Sequence, residues 1–135
     1  MNTLDISVVI STYNHPEWLQ KVLWSFKYQT FQNFEIVIAD DGSETETKKC
    51  IDAFDKAVSF PIKHVWHPDT GFQKTKILNK ALLQCDANYI LFTDGDCIAR
   101  ADFLQTHINY RQTGYFLSGG YFKLPMSISK AIRKA

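Results

Sequence analysis

Residues 89–97 read YILFTDGDC, and within them Asp94 and Asp96 set two carboxylates on either side of Gly95. Carboxylate oxygens are hard ligands. A strand end that offers two of them can hold Mg2+ or Mn2+, with phosphate oxygens filling the other positions. Gly95 keeps bulk away from such an anion. Asp-Gly is also a common turn, so the chemistry depends on what else the chain brings to the same place. Three more polar segments interrupt apolar runs: STYNH at 11–15, DDGS at 40–43 and HPDTGF at 67–72.

The elements that must position these segments follow from periodicity. Residues 6–10 (ISVVI) form an apolar β-branched run, as a strand buried on both faces requires. Pro16 fits a first helical turn and Glu17 has the right charge for a helix N-terminus. Trp18, Leu19, Val22, Leu23 and Phe26 then recur at helical spacing, which predicts a helix to about Tyr28. Residues 34–39 (FEIVIA) predict a second strand, 45–54 a helix with Cys50, Ile51 and Phe54 inward, and 62–66 a third strand. Residues 73–85 predict a helix with Ile77, Leu78, Ala81 and Leu82 inward, and 89–93 a fourth strand.

Strands alternating with helices define an α/β fold with a mostly parallel sheet flanked by helices. Ligands of such sheets bind at the carboxyl ends of the strands. All four polar segments fall at such an end, and unselected surface acids would not concentrate there. Beyond Ala101 the pattern is weaker. It predicts a helix at 102–110, a strand at 115–122 interrupted by Gly119 and Gly120, and a terminal helix at 124–135 with Pro125 in its first turn.

The bulk properties exclude several classes. At 135 residues the expectation is one domain with a sizeable core. A net charge of +1 argues against a nucleic-acid footprint. Cys50, Cys85 and Cys97 form no CxxC pair, so neither a zinc knuckle nor a disulfide framework is expected, and a reducing compartment is. No apolar run is long enough to span a membrane, and the first five residues are too short and polar for a signal peptide. The expected location is the cytoplasm, with a peripheral position at the inner face of the membrane compatible with the same features.

Together, VVISTYN, FEIVIADDGS, TGFQKTKILNKAL and YILFTDGDC resemble the nucleotide-sugar half of the inverting family 2 glycosyltransferases, which have the GT-A (Rossmann-like nucleotide-diphospho-sugar transferase) fold. The resemblance covers about residues 6–100. It implies that Ser11 and Tyr13 contact the nucleobase and ribose, that Asp41 hydrogen-bonds a uracil-type base with Asp40 beside it, and that Asp94 lies nearest the ribose. It implies that Asp96, with Asp94, holds Mn2+ or Mg2+ on the diphosphate, and that Lys76 and Asn79 approach the sugar and phosphates. Where many relatives carry Arg this chain has Leu78, which leaves that charge to Lys74 or Lys76. The family's general base, an Asp or Glu well after the DxD, has no counterpart, because no acidic residue follows Asp102. The resemblance therefore implies a single donor-binding domain over 1–135, cut short before the acceptor half. Its implied activity is metal-dependent, inverting transfer from a UDP-sugar to a glycan or lipid-linked hydroxyl, as in polysaccharide biosynthesis. Loss of the second half would expose apolar surface and favour self-association.

Plainer readings stand beside these. His15, His64, His67 and His107 lack ligand spacing and read as surface or satisfied histidines, with His67 near enough to the TGF segment to line a pocket. Lys80 reads as the solvated face of a helix, Trp18, Trp24 and Phe26 as packing, Trp66 as a pocket border and Cys97 as a small core residue beside acids that disfavour a thiolate. Two other functions compete. A non-catalytic nucleotide-binding or interaction module would keep the donor site without the base. A nucleotidyltransferase would need a Gly-rich phosphate loop after the first strand, and STYNHPE has no glycine or lysine.

Overall fold

A computed structural model describes residues 3–120 and 123–132. Strands β1 (Ile6–Thr12), β2 (Phe34–Asp40), β3 (Ile62–Trp66) and β4 (Tyr89–Asp94) form one sheet in the order β3-β2-β1-β4. Every pairing in it is parallel, with Val8 beside Ile36 and Leu91, and Ile36 beside Ile62. Helices α1 (Pro16–Lys27), α2 (Thr45–Asp55) and α3 (Lys74–Leu82) make the crossovers, followed by α4 (Phe103–Tyr110) and α5 (Met126–Ala131). The expected α/β plan and the alternation of the first seven elements are as predicted.

The two sheet faces carry different cores. On one, Val8, Ile10, Ile36 and Ile38 pack against Leu19, Leu23 and Phe26 of α1, Ile51 and Phe54 of α2, and Leu104 of α4. On the other, Val9, Val37 and Ala39 meet Ile77 and Ala81 of α3. The alternation of adjacent strand residues between these clusters is the period of two that a sheet imposes. Burying a side chain such as Phe26, fully inaccessible here, contributes about 1.5–3 kcal/mol. Trp24 packs as expected, edge-on to Phe54 at 5.6 Å between centroids.

The larger departures from the expectation have physical reasons. β1 runs two residues past its apolar stretch, because Ser11 and Thr12 still pair with Ala39 and Asp40, and Ser11 with Asp94. α3 is shorter than 73–85: Gln73, at φ −131, is the N-cap with its N–H on the Asp41 carboxylate 2.9 Å away, and past Leu82 the chain closes in turns, with Gln84 N and Cys85 N bonded to Ala81 O and Leu82 O. Residues 115–120 form no strand; they are exposed, and a strand without a neighbour to hydrogen-bond is not stable. Residues 121 and 122 of that expected strand, and 133–135 of the expected terminal helix, lie outside the described residues; the helix itself covers Met126–Ala131.

The segment after β4 is laced to α1. Gln29, buried, donates to Arg100 O at 2.6 Å and accepts from Leu104 N at 3.0 Å. Ser25 Oγ accepts from Ala99 N at 3.1 Å. These bonds fix the chain as it leaves Asp96. No helix among the described residues is long and apolar enough to cross a membrane.

Candidate functional site: the carboxyl edge of the sheet

Because the strands are parallel, the loops after β1, β2, β3 and β4 all emerge at one edge. Ser11 and Asp94 are paired neighbours there, and Ser11 Oγ donates to Asp94 Oδ1 at 2.7 Å. Lys74, at the start of α3, donates to the same oxygen at 3.0 Å. Partial burial pushes the Asp94 carboxyl up, but the Ser11 and Lys74 hydrogen bonds and the Lys74 charge outweigh it and hold the group below its ordinary value. Gly95 N donates to Ser11 O at 2.8 Å. A Cβ at Gly95 would lie 2.9 Å from Ser11 O and 3.2 Å from Thr12 Oγ1, so glycine is what lets the DxD turn lie against β1.

Oxygens of Asp94 and Asp96 and the Cys97 sulfur lie within 4.8 Å of one another, all on exposed residues. Two hard oxygens with open space beside them fit a divalent cation that keeps positions for phosphate. Cys97 is exposed, not the core residue expected. Partial burial of its sulfur, the Asp96 charge and its bond to Asp96 raise its thiol above the ordinary value, so the acids do disfavour a thiolate.

Asp41 is the centre of a second cluster. It is 7% exposed, with Oδ1 2.6 Å from His67 Nε2 and Oδ2 accepting from Gln73 N. His67 is buried in turn, and its Nδ1 lies 3.1 Å from Lys80 Nζ. Lys80 is therefore not simply the solvated face of a helix. Asp40 continues the alternation of Ile36 and Ile38 and is wholly buried on their face of the sheet. Its oxygens are occupied by His64 Nε2 at 2.7 Å and Ser43 N at 2.9 Å. It shapes the DDGS loop from behind, and its carboxylate is enclosed where those of Asp94 and Asp96 are exposed.

Tyr13, 46% exposed, donates to Asp69 Oδ2 at 2.6 Å. That bond and the nearby charge raise the Tyr13 hydroxyl, and the same bond, with one from Gly71 N, lowers the Asp69 carboxyl. The loops after β1 and β3 are thus tied over the loop after β2. Gly42, at φ +89, fits beneath, where a Cβ would lie 2.5 Å from Asp69 Cα. Trp66 borders this region, donating from Nε1 to Ser43 O at 3.0 Å. Lys76 and Asn79 are exposed on α3, and of the two lysines offered for a missing arginine it is Lys74 that meets the DxD.

Asn14 carries no sequence motif of its own. It adopts φ 51, accepts from Glu44 N at 2.7 Å and donates its own N–H to Ser43 Oγ at 2.8 Å. It thereby joins the first loop to the start of α2. The available signal was that asparagine tolerates the left-handed region better than other residues with a Cβ.

Comparison with known proteins gives this edge a context. The model for glycosyl transferase family 2 matches residues 7–123. Validoxylamine A glucosyltransferase of Streptomyces hygroscopicus subsp. jinggangensis is 29% identical over 103 residues, covering 75% of this chain and 24% of that protein. The structure of Staphylococcus aureus TarS residues 1–349 in complex with UDP superposes with a TM-score of 0.69 at 25% identity, over 78% of this chain and 31% of that one. The mannosyltransferase PcManGT from Pyrobaculum calidifontis, in complex with GDP-Man and Mn2+, shares the fold at a TM-score of 0.72 and 18% identity, over 82% of this chain and 33% of that one. The fold is that of the GT-A glycosyltransferases. The chain belongs to glycosyl transferase family 2, and it spans about a quarter to a third of the length of these relatives.

Proposed function

We propose that this chain binds a nucleotide diphosphate sugar, UDP-linked first, through a divalent cation, and that it is the donor-binding portion of an inverting glycosyltransferase of the EC 2.4 type. The observation that carries the reading is the tie of Ser11 and Lys74 to Asp94 at the carboxyl edge, with Asp96 open beside it. Ser11 and Tyr13 would meet the ribose and base, Asp41 would accept from the base, and Asp40 would act through the loop it shapes. Asp94 and Asp96 would hold Mn2+ or Mg2+, whose chemistry is to neutralise charge on the departing diphosphate. Lys74 sits where a phosphate would arrive, and Lys76 and Asn79 lie further along α3 toward the sugar. Support comes from UDP, UDP-GlcNAc and GDP-Man in the related structures.

Activation of the acceptor hydroxyl needs a base, and this sequence has no acid after Asp102. We assign donor binding to the residues of this chain. The acceptor class is a glycan or lipid-linked hydroxyl, as in polysaccharide biosynthesis. The proposed location is cytoplasmic, extending to the inner membrane face. Exposed Tyr115, Phe116 and Met126 favour self-association. Thermal-shift measurements with a panel of nucleotide sugars and Mn2+ test the reading. Stabilisation by at least one UDP-sugar is expected; no response to any nucleotide would overturn it.

A further inference from the structure

We infer that His67 and Lys80 are positioning residues for the Asp41 carboxylate: Lys80 donates to His67 Nδ1, and the imidazole, protonated at Nε2, donates to Asp41 and holds it ready to accept an N–H from a uracil-type base. The inference rests on the proposed role of Asp41 and extends it to two residues on other elements.

The argument is one of donors and acceptors. An ammonium can donate and cannot accept. With Lys80 Nζ 3.1 Å from Nδ1, Nδ1 must offer its lone pair. Nε2 then carries the proton, and the 2.6 Å contact to Asp41 Oδ1 is N–H to carboxylate. The other tautomer would set two donors against each other at Nδ1 and a lone pair against a carboxylate oxygen at Nε2. The imidazolium would satisfy Asp41 but leave its Nδ1–H facing the Lys80 ammonium. Only the neutral Nε2–H form satisfies both contacts.

The chain of bonds also has an ordered frame. His67 and Asp41 are each 7% exposed, and Gln73 N donates to Asp41 Oδ2 from the start of α3. Gly42 packs on the Asp69 backbone just beyond. A carboxylate has about four acceptor positions, and these two donors leave capacity for a third. A side chain that only accepts, clamped on both oxygens, discriminates for a base that presents an N–H.

The test uses 15N-histidine-labelled protein and UDP titration. Long-range proton–nitrogen NMR should show His67 protonated at Nε2 and unprotonated at Nδ1. Lys80→Met removes the donor to Nδ1, leaves the imidazole held by the Asp41 contact alone, and should weaken UDP binding by about tenfold, the scale of one charge-assisted hydrogen bond. Binding of inorganic pyrophosphate with Mn2+, which engages the DxD, should be unchanged in the variant. Lys80→Arg, which still donates and cannot accept, should restore UDP affinity; a merely structural role would not predict that rescue. An Nδ1–H tautomer in the wild type, or full UDP affinity in Lys80→Met, would overturn the inference while leaving the donor reading intact. Wild-type protein that binds pyrophosphate with Mn2+ but not UDP would overturn both the base contact and its positioning.

Discussion

Lys74 Nζ and Ser11 Oγ converge on a single oxygen of Asp94, at 3.0 and 2.7 Å. The Lys74–Asp94 pair joins the start of α3 to the end of β4, with both side chains about half exposed. Pairs this open contribute only about 0–1 kcal/mol to stability, so the arrangement is better explained by what it does to the Asp94 charge. It holds the carboxyl below its ordinary value and leaves an ammonium beside the proposed position of a diphosphate.

Lys74→Met should therefore raise the Asp94 titration midpoint, read by carbon-detected NMR. Desolvation by partial burial, which acts upward, would then be opposed by Ser11 alone. In the wild type the depressed carboxyl contributes stability that is present above its unfolded value, about pH 3.9, and lost as pH falls through the lower folded value. The variant should lose diphosphate affinity with little change in unfolding free energy.

Gly95→Ala should destabilise the fold by about 1–3 kcal/mol, the usual cost of forcing atoms into a packed place. The new methyl meets Ser11 O, which is backbone and cannot swing aside. Nucleotide binding should fall with it, because Asp94 and Asp96 flank the displaced residue. Gly119→Ala, where a Cβ meets nothing within 4 Å, should stay within about 0.5 kcal/mol of wild type in chemical denaturation.

Tyr13→Phe removes the hydroxyl that bonds Asp69 and should return the Asp69 carboxyl toward its ordinary value. The ring remains, so UDP affinity should change by less than about threefold. Tyr13→Ala should lose about 1–3 kcal/mol of binding, the range for stacking on a base. Equal UDP affinities for the two variants would argue that the ring does not touch the nucleotide.

At the other end of the sheet, Glu35 is fully buried, accepting from Ser7 Oγ and Asp86 N, both at 2.6 Å. The Lys63 ammonium forms an ion pair with its second oxygen at 2.9 Å. Desolvation acts to lower the Lys63 group, but its bonds to Asp86 and Glu35 prevail and raise it. That contribution is present below the unfolded value, about pH 10.4, and lost as pH rises through the folded one. Lys63→Met should cost about 2–4 kcal/mol by leaving a buried carboxylate without its counter-charge, and should leave UDP affinity unchanged.

The strands and loops were legible because β-branched runs such as ISVVI and FEIVIA are local signals, and parallel pairing then places their ends at one edge. What escaped was set by contacts between elements. Lys80 read as a solvated residue because no spacing within its helix reveals that His67 lies above it. Asp40 read as lying beside Asp41 at the base, although the alternation from Ile36 and Ile38 carries it onto their face of the sheet. The stretch at 115–120 has strand-forming residues, but pairing partners are a property of the fold and not of the segment.

The central claim is that Asp96 holds a cation through which the diphosphate is bound. Isothermal titration of UDP into the wild type with Mn2+, into the wild type with EDTA, and into Asp96→Ala with Mn2+ tests it most directly. The tightest binding is predicted in the first case, with affinity at least about tenfold weaker in the other two. Metal-independent UDP binding that Asp96→Ala leaves unchanged would contradict it.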